Sequence, residues 1–286
     1  MLWKKTLRGA EQYQQGSMKI PRSTQEMIPV KHILNDGTFV LDSGEYSKMF
    51  AFTDINYTEL RDEEKMRRLV DYSALLNSID KGIYAKISIF FRPIRQEQFE
   101  RDVLIPMNPE DELDDYRENM NTVLREQVRG TLGMTKQAYL TITAGRRNDE
   151  DAAAFFARVE GNLISSFQAL GVELRAVPLS ERLRLLHDIY RPGLEETFRY
   201  DAHAEKKLGM NWKDSIAPLS AEALNSCTHL KIGGRYCKTL FLNAYPIYLN
   251  DRIVSDIASI GKPMIFTIDF LPIPSAEAMA EAESRS

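Results

Sequence analysis

The sequence predicts an α+β protein, with antiparallel or mixed sheets and helices laid against them. Three observations carry this. Apolar residues alternate at the two-residue period of strands in 39–52, 83–91, 136–143 and 264–271. Between them, 59–80, 112–130 and 149–170 contain no proline and place apolar residues at three- and four-residue spacing, as helices do. Finally, a hairpin–helix–strand unit recurs. Gly44-Glu45-Tyr46-Ser47-Lys48 is echoed by Gly234-Arg235-Tyr236-Cys237-Lys238, and Phe91-Arg92-Pro93-Ile94 by Phe270-Leu271-Pro272-Ile273. The expected architecture is two ferredoxin-like hairpin–helix–strand units joined by helices.

In chain order, 1–25 is polar with Lys4, Lys5 and Arg8 and reads as a loose N-terminal arm. A first α+β lobe is expected over 26–175. Its hairpin turns at Ser43-Gly44, and the return strand puts Tyr46, Lys48, Phe50 and Phe52 on one face. The lysine is expected at the rim. The helix over 59–80 should bury Met66, Leu69, Leu76 and Ile79 and end at Lys81-Gly82, since glycine accepts the left-handed cap conformation. Pro93 stops the following strand. Residues 95–111 read as irregular, with a helical turn near Gln98. The helix over 112–130 should bury Leu113, Tyr116, Met120, Val123, Leu124 and Val128. The third helix turns Phe155, Phe156, Val159, Leu163, Phe167 and Leu170 inward and is capped by Gly171. A short strand at 172–174 and a helix N-capped by Ser180 follow. A helical or irregular connector is expected over 176–227. The second unit spans 228–274, with a Gly233-Gly234 turn and a helix begun at Asn250. The tail, 275–286, reads as leading toward a further domain.

Composition restricts the function. A net charge of −4 and a pI near 5.7 give no overall basic field for nucleic acid or anionic lipid. Two cysteines, Cys227 and Cys237, are too few for a disulfide scaffold and suit a reducing compartment. The opening stretch lacks the apolar core of a secretory signal, and no run approaches the ~18 apolar residues that span a bilayer.

A search for chemistry yields no catalytic, cofactor-binding or metal residues. No GxxxxGK[ST] phosphate loop occurs, and Gly233-Gly234 sits in a hairpin turn. Cys227, His229 and Cys237 fall short of four zinc ligands, and Cys237 is expected opposite Leu230, away from His229. No GxSxG occurs, and His32, His187 and His203 are isolated. His187, beside Asp188, reads as a surface histidine. The carboxylates from Glu110 to Asp115 read as a solvated helix start. Tyr84, Phe90, Tyr46 and Tyr236 could stack bases, but no RNP-type run accompanies them.

A set of short motifs adds a resemblance. Ser23-Thr24-Gln25-Glu26-Met27-Ile28-Pro29, Asp36-Gly37, Gly44 to Lys48 and Phe52-Thr53-Asp54-Ile55-Asn56-Tyr57 look like the N-terminal region of VirB-type conjugative transfer ATPases, Gram-positive or integrative-element branch. Further matches follow in order: Lys136 to Thr141, Leu170-Gly171-Val172, Glu181-Arg182-Leu183, Phe198-Arg199-Tyr200-Asp201, Ile216-Ala217-Pro218, Gly233 to Tyr236 and Leu249 to Arg252. The resemblance spans roughly 23–274. It implies a docking and assembly domain that precedes a RecA-like motor of a type IV secretion system. The Walker A and Walker B of such a motor do not occur here, so no ATP hydrolysis and no cofactor are expected of this chain. Implied partners are inner-membrane and other secretion-complex components, the chain's own motor domain and further copies in a homo-oligomer; direct nucleic-acid binding is not expected. The implied location is cytoplasmic, peripheral at the inner face of the membrane. The alternatives are a small-molecule enzyme on the duplicated scaffold and a single-stranded nucleic-acid binder.

Overall fold

The computed structural model describes residues 21–53, 60–79, 82–94, 96–127, 134–203, 207, 209, 211–223, 229–242, 253–273, 279–280 and 283. The elements run β1 (Val30–Ile33), β2 (Phe39–Leu41), β3 (Glu45–Phe52), α1 (Asp62–Asn77), β4 (Ile83–Pro93), α2 (Gln96–Asp102), α3 (Asp114–Gln127), β5 (Met134–Gly145), α4 (Asp149–Ala169), β6 (Leu174–Ala176), α5 (Leu179–Tyr190), β7 (Ala221–Ala223), β8 (Leu230–Ile232), β9 (Arg235–Cys237), α6 (Ile253–Ala258) and β10 (Met264–Phe270). The class is α+β, as expected. Most of the expected arm and tail, with Cys227 and Asn250, lie outside the described residues.

The chain groups into two compact units that differ from the expected division. Val30–Arg182 with Phe241–Ser286 forms a sheet unit, and Met1–Pro29 with Leu183–Leu240 a smaller one. In the sheet unit the strands are ordered β1-β2-β3-β5-β4-β10, all antiparallel. Strand β6 pairs with β3 beyond the end of β2, on Phe50, Ala51 and Phe52. Thus β3 and β4 run the same way with β5 between them, a split βαβ closed by α1.

Alternation explains the core. Ile83, Ala85 and Ile87 of β4 and Leu140, Ile142 and Ala144 of β5 bury one face against α4. Helix α4 meets them with Phe155, Phe156, Leu163 and Phe167, the stripe read from the sequence. Its ends are fixed locally. The Asn148 side chain accepts from the Asp151 N–H at 2.8 Å. At the other end Gly171 N donates to Gln168 O and Val172 N to Phe167 O, and Gly171 takes a φ of +71° that a side chain would strain.

Several expectations are corrected. The second unit, 228–274, does not close on itself. Its hairpin, β8–β9, joins β7 in a three-stranded sheet, whereas β10 pairs along β4 from Met264↔Phe91 to Phe270↔Ala85. The physical reason is edge length: seven residues of β10 match the long edge of β4, while the hairpin strands offer three each. The turns differ too, since β2–β3 pass through three residues ending in Gly44 at φ +85°, and β8–β9 through Gly233-Gly234. Helix α1 ends at Asn77, where Ser78 caps it, before the expected glycine. It buries Leu75 and leaves Met66 and Leu69 exposed. Helix α5 begins at Leu179, so Ser180 lies inside its first turn.

The smaller unit packs Ile28, Leu183, Leu185, Trp212, Ile216 and Ala217. Backbone carbonyls there are tied by long cations. Arg191 donates to the Ala217 and Asp214 carbonyls, and Lys213 to Ile28 O at 2.9 Å. Among the described residues no helix is long and apolar enough to cross a membrane.

Candidate docking surface

The residues considered for chemistry are engaged in structure. His187 is fully buried, which corrects the surface assignment. Its Nδ1 lies 3.6 Å from Asp188 Oδ1, its Nε2 3.4 Å from Thr197 Oγ1, and its ring meets Phe198 edge-on. Burial lowers its pKa against the pull of Asp188. Tyr46 is buried and donates to Asp149 at 2.8 Å. Phe90 is buried in an edge contact with Tyr139, and the Tyr84 hydroxyl donates to Asp269. Burial, then that bond, raises the Tyr84 pKa. Tyr236 is exposed beside the ring of His229, and Cys237 pairs opposite Leu230 as expected. Among the described residues no cluster could hold a metal ion. A described cleft lined by Ser78, Ile83, Ile142, Arg158, Asn162 and Leu163 holds about 50 Å³. Metabolite sites are usually several times larger, from about 300 Å³.

The surface that stands out is built by α3. Its stripe was expected to be buried, yet Leu113, Tyr116, Met120 and Val123 are 51%, 73%, 53% and 47% exposed. The helix is turned the other way, with Asp114, Arg117, Asn121 and Leu124 inward. The buried Asn121 explains this orientation. Its Oδ1 accepts from Ile105 N at 2.8 Å and its Nδ2 donates to Ile105 O at 2.9 Å, so one side-chain amide satisfies both backbone groups of Ile105. Arg117 forks onto Asp111 and also donates to Asp114 at 2.8 Å. Asp114 accepts from Asn108 N, and Asp111 from Leu113 N. The Asp111 carboxyl is held down to about 2, chiefly by its bonds from Arg117 and Leu113 N. The expected solvated helix start is therefore a clamp: two of its carboxylates hold the 105–111 loop and α3 together.

No family model and no curated protein sequence matches the chain.

The motif residues behind the resemblance have structural positions. Asp36 accepts from the Thr38 N–H and hydroxyl and faces Lys48 Nζ at 3.3 Å. Burial alone would raise its pKa, but the Thr38 bonds and Lys48 outweigh it and leave it lowered. Lys48 is buried rather than at the rim, and it also meets Glu160 at 3.2 Å. On the other face of β3, Arg182 is buried. It donates to Gly37 O at 3.0 Å, Ser47 O at 2.6 Å and Ser47 Oγ at 2.8 Å, and it stacks on Phe39 at 3.8 Å. Desolvation pushes its guanidinium down to about 9, still charged at neutral pH. Thr53 and Glu173 exchange backbone and side-chain bonds. The sequence signal for these roles was the pairing of polar residues with turn glycines, which gives no distance partner.

Proposed function

We propose that this chain is a docking and assembly domain of a conjugative type IV secretion ATPase, coupling a motor to the membrane secretion complex at the inner face of the cell membrane, without hydrolysing ATP itself. The observation that carries the reading is α3, which shows an apolar stripe to solvent while its polar side is fully engaged below. Exposed apolar patches of this kind mark surfaces that another molecule covers. The ordered motifs support it as well, and their residues Asp36, Gly37, Ser47, Lys48 and Arg182 build the frame of the sheet unit.

The test is to incubate the tagged chain with detergent-solubilised inner membranes from cells carrying a conjugative element, and to assay ATP turnover by the purified chain. Retention of secretion-complex components without turnover is expected. Sustained hydrolysis, or no retention, would overturn the proposal.

A further inference from the structure

Helix α3 carries charge as well as apolar surface. Around its axis, Tyr116, Met120 and Val123 form one stripe, which Leu113 extends from the cap position. One border of the stripe is the inward polar side with Arg117 and Asn121. The other border is Asp115, Asn119 and Glu126, with Glu112 just ahead of the helix, all exposed, with three carboxylates and no cation. Arg125, the basic residue of the last turn, lies away from this border and pairs with Glu118 at 2.7 Å. The outer face of α1 offers a contrast. Met66, Leu69 and Val70 are exposed there too, but both Glu63 and Arg67 flank them, giving no single sign of charge.

The size of the patch also speaks to its occupant. The four side chains of the stripe leave on the order of 400 Å² in solvent, a typical functional patch on a monomer and about half of what each partner of a stable dimer buries. Two copies meeting antiparallel through this stripe would also bring their acidic borders together, and in either orientation the area falls short of a stable dimer. A single amphipathic helix fits both the area and the charge.

We infer that the α3 stripe is the seat of an amphipathic helical segment of a partner protein, with an apolar stripe of its own and lysine or arginine along one flank. This deepens the docking proposal. If that reading holds, the segment belongs to the cytoplasmic flank of a membrane protein, where basic residues concentrate.

The test uses a designed, fluorescently labelled helix of about 18 residues, with leucines at helical spacing and lysines beside them. Its twin carries glutamate in place of each lysine. Anisotropy titrations on the whole chain should show saturable binding that weakens with added salt. Met120→Asp and, separately, Tyr116→Asp should each weaken it at least ~10-fold, as should the glutamate twin. Both positions are exposed, and circular dichroism checks that each variant is folded. Leu69→Asp, on the outer face of α1, should leave binding unchanged. Equal binding by wild type and both α3 variants overturns the inference, as does equal loss with Leu69→Asp. Self-association abolished by Met120→Asp would name a second copy as occupant and overturn it. So would Met120-dependent binding to phosphatidylcholine/phosphatidylglycerol vesicles. The peptide assay needs no secretion apparatus. Retention by solubilised membranes that survives Met120→Asp would therefore sink the α3 site and spare the docking reading. Peptide binding without such retention would do the reverse.

Discussion

Replacing Arg182 by methionine tests whether one buried guanidinium ties α5 to the β2–β3 hairpin. Methionine keeps much of the apolar stem but removes three hydrogen bonds, to Gly37 O, Ser47 O and Ser47 Oγ. Each acceptor left unpaired in the interior costs about 1–3 kcal/mol. Against this, the fold no longer holds a buried charge, and burial already depresses that group to about 9. Ser47 lies mid-sheet between β2 and β5, so its carbonyl keeps a ladder bond, and the loss falls chiefly on Gly37 O and Ser47 Oγ. The unpaired acceptors outweigh the relief, and Arg182→Met should destabilise the chain by about 2–4 kcal/mol. Lysine should recover only part, since an ammonium lacks the planar fork that serves three acceptors and stacks on Phe39. The assay is urea denaturation at pH 7 followed by far-ultraviolet circular dichroism. A double-mutant cycle with Ser47→Ala should show a coupling of about 1 kcal/mol. A loss below about 0.5 kcal/mol for Arg182→Met, with no coupling to Ser47, would refute the reasoning.

Further outcomes follow from other sites. Gly37→Ala should cost about 2–4 kcal/mol in the same titration, because φ is +82° and the new Cβ would lie 2.7 Å from Val177 O; a neutral result would contradict the close approach. Asn121→Leu keeps the branched shape but strands the Ile105 N–H and C=O, so hydrogen exchange at 105–111 and along α3 should quicken severalfold while α4 stays protected; unchanged exchange would count against the clamp. For His187 the folded pKa lies below the ordinary 6.5 because burial disfavours the cation. The stability this neutral ring contributes is complete above pH 6.5 and is lost as pH falls below it toward the depressed value. Urea midpoints read by tryptophan fluorescence should fall on acidification, and His187→Gln should flatten that slope; an identical slope in the variant would assign it elsewhere.

The strands and α4 were legible because their patterns answer to neighbours close in sequence. Phe155, Phe156, Leu163 and Phe167 repeat at helical spacing, and Gly171 marks the end. The likeness of β4 and β10 was also visible, but its meaning was not: the two strands are antiparallel partners in one sheet rather than ends of two units. Arg182 could not be assigned, since its acceptors lie 135 and 145 residues away and no local period reports them. A lysine alternating with Tyr46 and Phe50 usually snorkels to the rim; Asp36 and Glu160, themselves partly exposed, instead close over Lys48 and bury it. His187 failed for the same reason, as a polar letter on a helix gives no depth.

Helix α3 carries an apolar period that is plain in the sequence, but the direction in which that side faces is not. Periodicity states that a helix has an apolar side; it does not state which molecule covers that side. A helix of 14 residues is marginal alone, so something must hold it. Here Asn121 and the Arg117–Asp111–Asp114 clamp do so with polar groups that find their partners on the inward side of the helix. The stripe is then free to contribute to association. Covering on the order of 400 Å² would return about 10 kcal/mol gross. Lost translation and rotation and the ordering of side chains consume about 4–15 kcal/mol of any such gain. The stripe by itself therefore supports weak binding at best. The acidic border adds little to that affinity and acts most on the rate of encounter and on the choice of partner. For the proposed helical segment, reversible and salt-sensitive attachment is the behaviour this arithmetic selects.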